Sequence, residues 1–210
     1  MIPKIIHRIW LGGNPLPEQA QIFEETFKRH NPGWEMRLWD ERELEIHKIP
    51  FRNLKTAGPS SLANVLRVEI VRKFGGHYVD CDVECLKPLD SLCLNQAYAG
   101  IEEAFLGNAV FGAVAHHPWL ESMSRDWGKV IQRPPPWGPR HMDKHARLWP
   151  VTFYPRRYFY PWLWEQRDKK KAQIPHKDSL MAHYWNMSWK YTASGEISGV
   201  TPAVPRHDDR

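Results

Sequence analysis

Apolar positions along the chain change period several times, and each change marks an element. Ile5, Ile6, Ile9 and Trp10 fill residues 2–11 and run into Gly12-Gly13, the pattern of a buried strand that ends in a glycine turn. A ligand can sit at such a strand end. Residues 17–30 carry Ile22, Phe23 and Phe27 at helical spacing and stop at Asn31-Pro32-Gly33. Trp34, Met36 and Leu38 then alternate with Glu35, Arg37 and Trp39, the period of a half-exposed strand. Ser60 or Ser61 is placed to cap a helix whose Leu62, Leu66, Ile70 and Phe74 return to one face, and Gly75-Gly76 ends it. His77-Tyr78-Val79 follows as a short strand. Further strands are expected at 98–101, 109–114, 151–154 and 181–185, with a helix over 118–131. Residues 132–147 contain Pro134-Pro135-Pro136 and many polar side chains, which predicts a loop.

Alternating strands and helices predict an α/β sandwich. The chain has 210 residues, 42% of them hydrophobic, enough for one sizeable core and short for two. The expected organisation is one domain over residues 1–190 and a flexible tail over 191–210, where little core-forming material remains. A net charge of +5 suits an anionic partner. The basic residues are scattered, and the one dense run, Lys169-Lys170-Lys171, has the character of a solvated face, so no nucleic-acid partner is expected. Cys81, Cys85 and Cys93 are odd in number and clustered, which describes packed, reduced thiols in place of a disulfide framework or a zinc site. The N-terminus has no signal-peptide core, and no stretch approaches the roughly 20 apolar residues of a membrane span. These features point to the cytosol and leave peripheral membrane contact open.

The sharpest chemical feature is Asp80-Cys81-Asp82, at the end of the strand His77-Tyr78-Val79. In an extended chain, residues two apart project to one side. Two carboxylates held so close need a compensating cation, and oxygen-rich ligation suits Mg²⁺ or Mn²⁺, which in turn bridge diphosphates. A bare DxD pattern is common by chance. Phosphatases of the haloacid dehalogenase type also place DxD after a strand, but that pattern asks for an apolar residue or threonine where this chain has Glu84.

The surroundings narrow the choice. Ser61-Leu62-Ala63-Asn64-Val65-Leu66-Arg67, then Gly75-Gly76-His77-Tyr78-Val79-Asp80-Cys81-Asp82, then Leu86-Lys87-Pro88-Leu89 resemble glycosyltransferase family 32, the DXD-containing sugar transferases related to the glucosylating clostridial toxins. Ile2-Pro3-Lys4-Ile5-Ile6-His7-Arg8-Ile9-Trp10-Leu11-Gly12-Gly13, Asn31-Pro32-Gly33-Trp34-Glu35, Leu38-Trp39-Asp40 and His183-Tyr184-Trp185-Asn186-Met187-Ser188-Trp189 are similar to the same family, in the same order. The resemblance spans residues 2–189. It implies a GT-A fold with a mixed, mainly parallel central sheet flanked by helices, a nucleotide-sugar donor with UDP favoured, Mn²⁺ or Mg²⁺, a glycan or other hydroxyl acceptor, and retention of configuration.

By position, the resemblance implies that Trp10 stacks on the base, Arg67 reaches donor sugar or phosphate, and Asp80 meets ribose and metal-bound water. Asp82 binds the metal, His183 completes its site, and Ser188 and Trp189 close over the phosphate. Tyr78 and Asn108 line the donor pocket. The family has Asp where this chain has Asn64, a departure that bears on sugar choice and on catalysis. It keeps a rival in view, a nucleotide-sugar or glycan-binding protein of weakened or no activity on the same fold. Without the resemblance, Trp10 would read as core, Arg67 as a surface charge, and His7, His77, His116, His117, His141 and His145 as ordinary histidines. Glu84, Glu102 and Glu103 lie near the expected site, and the catalytic base stays unassigned.

Overall fold

The apolar N-terminal run forms β1 (Ile5–Ile9), and alternating elements follow: α1 (Glu18–His30), β2 (Glu35–Trp39), α2 (Glu41–Ile46), α3 (Pro59–Phe74), β3 (Gly76–Val79) and β4 (Val83–Cys85). After them come β5 (Ala97–Ile101), β6 (Leu106–Ala113), α4 (Pro118–Val130), α5 (Pro139–Ala146), β7 (Thr152–Tyr154) and β8 (Met181–His183). The computed structural model describes residues 1–50, 59–130, 138–166 and 174–186; Ser188, Trp189, the Lys169-Lys170-Lys171 run and the tail lie outside the described residues.

Six strands form one sheet in the order β2-β1-β3-β6-β5-β7, and β4 pairs with β8 in a second, two-stranded sheet. Within the large sheet β6 alone runs against its neighbours; β1 is parallel to β2 and to β3, and β5 is parallel to β7. Parallel neighbours need crossovers, and α1 supplies the one from β1 to β2. The chain then returns to the other side of β1 for β3, so strand order reverses between β1 and β3. A crevice opens at the carboxyl ends of strands at such a point.

Strand alternation divides the interior into two cores. Ile9, Tyr78 and Phe111 face α3, α4 and α5, among Leu66, Val71, Trp119 and Met142. Ile6, Val79 and Val110 face the other way, toward Phe27 of α1, Val83 of β4 and Met181 of β8. The α3–β3 connection needs glycine: Gly76 has φ +101°, and a Cβ there would lie 2.7 Å from the Ile5 carbonyl oxygen.

Four local expectations are corrected. Helix α3 starts at Pro59, so Ser60 and Ser61 lie within its first turn and do not precede it. Part of the expected loop over 132–147 is α5, an amphipathic helix with Met142 and Ala146 buried. Helix α2 went unanticipated, although Asp40 caps it by accepting the Glu43 N–H at 2.8 Å. On β2 the alternation breaks at its end, where Leu38 is exposed and Trp39 is buried. The Trp39 indole N–H donates to His7 Nδ1 at 3.1 Å, which draws it inward.

His7 and His77 are both fully buried. His7 Nε2–H donates to the Gly75 carbonyl at 2.8 Å, and His77 Nδ1 lies 2.9 Å from the Tyr98 hydroxyl. Burial pushes the pKa of His7 down to about 4 and that of His77 down to about 3. Both are neutral in the fold, whereas in the unfolded chain they take up protons near pH 6.5. Below that pH the unfolded state binds more protons, so these groups cost stability progressively from about pH 6.5 toward 4 and contribute no slope above it. These two groups are expected to leave the urea-unfolding midpoint unchanged between pH 8 and 7 and to lower it steadily below about pH 6. In His77→Asn, which removes one of the two groups, the fall is expected to be shallower.

Candidate active site

Strand β3 ends at Val79, and its ladder with β6 continues for one more bond, from the Asp80 N–H to the Ala109 carbonyl at 2.9 Å. The chain then turns, with the Val83 N–H donating to the Asp80 carbonyl at 3.2 Å. Asp80 and Asp82 therefore flank a tight turn, not the extended segment that period-two spacing implies. The β4–β8 ladder sets Val83 opposite His183 and returns His183 to this turn across a long stretch of chain. One ligand atom each from Asp80, Asp82 and His183 lies within 4.8 Å of the other two. Two carboxylates and one imidazole are a donor set that fits Mn²⁺ or Mg²⁺, with the nitrogen tipping the balance toward Mn²⁺.

His183 is buried, with Nε2 3.1 Å from Asp82 Oδ1. Its Nδ1 is also buried and, among the described residues, has no hydrogen-bond partner. The other oxygen of Asp82 accepts the Asn186 N–H at 2.7 Å. Burial disfavours the imidazolium, but Asp82, the hydrogen bond to it, and the charges of Asp80 and Glu102 outweigh that effect and hold the His183 pKa above its ordinary value.

The other wall comes from α3, which places Asn64 and Arg67 one turn apart on the same face. Arg67 is buried and is not the surface charge that an amphipathic helix implies by itself. Its guanidinium lies over the Tyr78 ring at 4.7 Å, and Nη1 is 3.2 Å from Asp80 Oδ1. Nη1 also donates to the Asn108 carbonyl at 2.6 Å, and Nε donates to the Ala63 carbonyl at 3.2 Å. Burial opposes the charge, yet Asp80 holds the guanidinium firmly protonated. The Tyr78 hydroxyl donates to Asp80 Oδ1 at 2.7 Å. Asn108 Nδ2 donates to Asn64 Oδ1 at 2.8 Å, so the two amides form one polar unit beside Arg67. The start of α5 closes against that unit, for a Cβ on Gly138 would sit 3.1 Å from Asn108 Nδ2.

Trp10 stands just past β1, half-buried, with its indole N–H donating to the Asn14 carbonyl at 2.8 Å. The Cys81 thiol donates to the carbonyl of the preceding residue, Ile9, at 3.4 Å, so Trp10 and the acidic turn share one sheet edge. Of the three glutamates, Glu84 is buried and accepts the Tyr184 hydroxyl at 2.7 Å, while Glu103 is exposed. Burial raises the Glu102 pKa, and Glu103 and Asp80 add to that, while His183 opposes it. All three cysteines are free thiols, and burial pushes Cys81 up to about 12. The structure thus brings together Asn64, Arg67, Tyr78, Asp80, Asp82, Asn108 and His183.

Sequence reasoning gave no role to Arg8, Gln19 or Asn186. Arg8 donates to the Cys81 carbonyl at 2.9 Å, and Asn186 Nδ2 donates to Gln19 Oε1 at 2.9 Å. The signal for Arg8 was present, since a charge inside an apolar strand needs a buried partner. Nothing local marks Gln19, whose partner lies 167 residues away.

Residues 17–99 match the model of the glycosyltransferase sugar-binding region containing the DXD motif. Among curated proteins, the chain is 30% identical over 190 residues to inositol phosphoceramide mannosyltransferase 2 of Schizosaccharomyces pombe, covering 87% of this chain and 51% of that protein. It is 28% identical over 143 residues to inositol phosphoceramide mannosyltransferase 1 of the same yeast, covering 63% of this chain and 44% of the relative. The chain thus spans about half the length of these relatives. Among solved structures, the galactosyltransferase LgtC with donor and acceptor sugar analogs superposes with TM-score 0.52 at 12% identity, covering 93% of this chain and 92% of that one. The PaToxG glycosyltransferase superposes with TM-score 0.54 at 15% identity, covering 70% and 69%. At such identity the likeness speaks to the fold, which is the GT-A sandwich that the resemblance implied.

Neutral imidazole is the form that ligates a cation, so proton and cation compete for His183. Mn²⁺ affinity measured by titration calorimetry is expected to rise with pH through the elevated His183 pKa and to level off above it. In His183→Gln the affinity is expected to be lower, and the part of its pH dependence due to this group disappears.

Proposed function

Starting from the fact that the chain belongs to the DXD-containing sugar transferases, we propose that it transfers a hexose from a nucleoside-diphosphate sugar to an acceptor hydroxyl, with a divalent cation at Asp80, Asp82 and His183. The observation that carries this reading is the convergence of those three side chains, one ligand atom each within 4.8 Å, at the edge where Trp10 follows β1. A divalent cation there supplies Lewis-acid stabilisation of the departing diphosphate. Asp82 and His183 are the direct holders, and Asp80 is kept in place by Arg67 and Tyr78. Arg67 adds a fixed positive charge on the diphosphate side, and Asn64 with Asn108 offers amide groups to sugar hydroxyls.

In the reaction the bond from the sugar's anomeric carbon to the phosphate oxygen breaks as a bond to the acceptor oxygen forms. The acceptor attacks from the face that the phosphate leaves and passes its proton to the departing phosphate, so the configuration is kept without a protein nucleophile. By the family resemblance, Trp10 would stack on a uridine base. The names of the yeast relatives bring mannose and a phosphorylated ceramide lipid into the set of donors and acceptors to be tried. Among the described residues, no helix is long and apolar enough to cross a membrane.

The test is release of nucleoside diphosphate from a panel of UDP- and GDP-sugars, GDP-mannose included, with Mn²⁺ and with chelator. Metal-dependent release from one donor is expected, and Asp82→Ala is expected to lower kcat by about 10²-fold or more, the usual loss when one fixed electrostatic group is removed. Arg67→Ala is expected to lower kcat comparably. Binding of nucleotide with Mn²⁺ but no release from any donor would favour the binding-protein reading, which Asn64 makes specific. In that event Asn64→Asp is the variant expected to gain turnover.

A further inference from the structure

The turn that carries the two aspartates is fastened from behind by a charge buried in β1. Arg8 is 1% exposed. Alternation along β1 turns His7 toward Phe74 of α3 and Arg8 toward α1. Arg8 Nη1 donates to Glu24 at 3.0 Å, and Nη2 donates to the Ala20 carbonyl at 2.9 Å and the Cys81 carbonyl at 2.9 Å, while Nε has no partner among the described residues. A buried guanidinium is costly, and an apolar side chain such as Ile6 fills the same face of the strand without that cost. What an apolar residue cannot do is join three elements at one point.

We propose that Arg8 is a positioning residue for the Asp80–Asp82–His183 cation site, acting through the carbonyl of Cys81; this rests on the reading of that cluster as a cation site. Cys81 is the residue between the two carboxylates, and it is held at two points. Its carbonyl is taken by Arg8, and its thiol donates to the Ile9 carbonyl at 3.4 Å. With the middle of the turn pinned to β1, Asp80 and Asp82 project from a fixed base. The same helix that receives Arg8 also steadies the far side: Gln19 holds Asn186, whose N–H donates to Asp82 at 2.7 Å. Cation ligation tolerates only small errors in ligand position, so a turn free to drift loses affinity even with every ligand present.

Two variants separate positioning from plain stability. Arg8→Lys keeps a positive charge for Glu24 but lacks the planar fork that reaches two carbonyls, and Arg8→Met removes the charge. Each is compared with wild type for Mn²⁺ affinity by titration calorimetry, alongside the melting temperature. Leu44→Ala, in the core beneath α2 and outside the site, serves as a control for destabilisation alone. The expected result is a fold retained in Arg8→Lys with Mn²⁺ binding weakened about ten- to a hundredfold, while Leu44→Ala melts lower and binds Mn²⁺ as wild type does. Wild-type affinity in both Arg8 variants overturns the proposal, as does an equal loss in Leu44→Ala. If wild type and Asp82→Ala bind Mn²⁺ alike, the cation-site reading itself falls and this proposal with it.

Discussion

Two carboxylates separated by one residue repel each other, and most of what surrounds Asp80 and Asp82 answers that repulsion. Asp80 is met by the Arg67 guanidinium and by the Tyr78 hydroxyl. Asp82 is met by His183 and by the Asn186 N–H. Behind the turn lies the buried Arg8, itself matched by Glu24. Asp80 therefore has a cationic side chain and a hydroxyl donor of its own, and Asp82 an imidazole and a backbone N–H. Such pairs add little net stability, because desolvation offsets attraction. Their effect is on geometry: removing any one partner would leave a charge uncompensated in a partly buried place, so the arrangement is held against alternatives.

The sheet makes that arrangement possible by separating the two sets of partners. Arg67 and Asn64 reach the edge from the α3 face, and Arg8, Glu24, Gln19 and the β4–β8 ribbon reach it from the α1 face. Neither set could be supplied by one face alone, since side chains along a strand alternate between the two. The reversal of strand order between β1 and β3 puts both faces within reach of the same edge. Helix α1 then serves as a second scaffold, for Phe23 stacks on Tyr184 at 4.8 Å and the Thr26 hydroxyl accepts the Cys85 N–H at 2.9 Å. These contacts keep β4 and β8 in register, and the register is what delivers His183.

Where the sequence was legible, one local rule dominated. The glycine stop after α3, the apolar strand before Asp80 and the 3.6-residue repeat of Leu62, Leu66 and Ile70 were each visible because the residue types and the tertiary structure ask for the same conformation. The expectation failed where they disagree. Pro134-Pro135-Pro136 masked the onset of α5, whose helical form depends on burying Met142 and Ala146 against the core. Trp39 looked outward by period, but a hydrogen bond to His7 pulls it in. The chain at Asp80-Cys81-Asp82 looked extended and turns instead, closed by the Val83 N–H to the Asp80 carbonyl and with the Cys81 carbonyl taken by Arg8 from another strand. Most of the side chains that meet at the acidic turn could be named from the motifs. The residues that orient it could not, since their partners lie 73 and 167 positions away in the chain.

Arg67 shows how fold and chemistry share one side chain. Its Nε and Nη1 are committed, to the Ala63 and Asn108 carbonyls and to Asp80, and its plane rests on Tyr78. Among the described residues, Nη2 has no such commitment. A long arginine ordinarily loses about 2 kcal/mol of rotamer entropy on being fixed. Here folding has already imposed that cost, so on the reading proposed above a diphosphate oxygen at this arm would meet a donor that is charged, buried and already fixed. On the same reading Asn64 and Asn108, whose mutual hydrogen bond fixes both amides, would be set before a sugar arrived. A site assembled in this way spends little of a ligand's binding energy on ordering its own walls, and more of that energy is left to act on the bond that breaks.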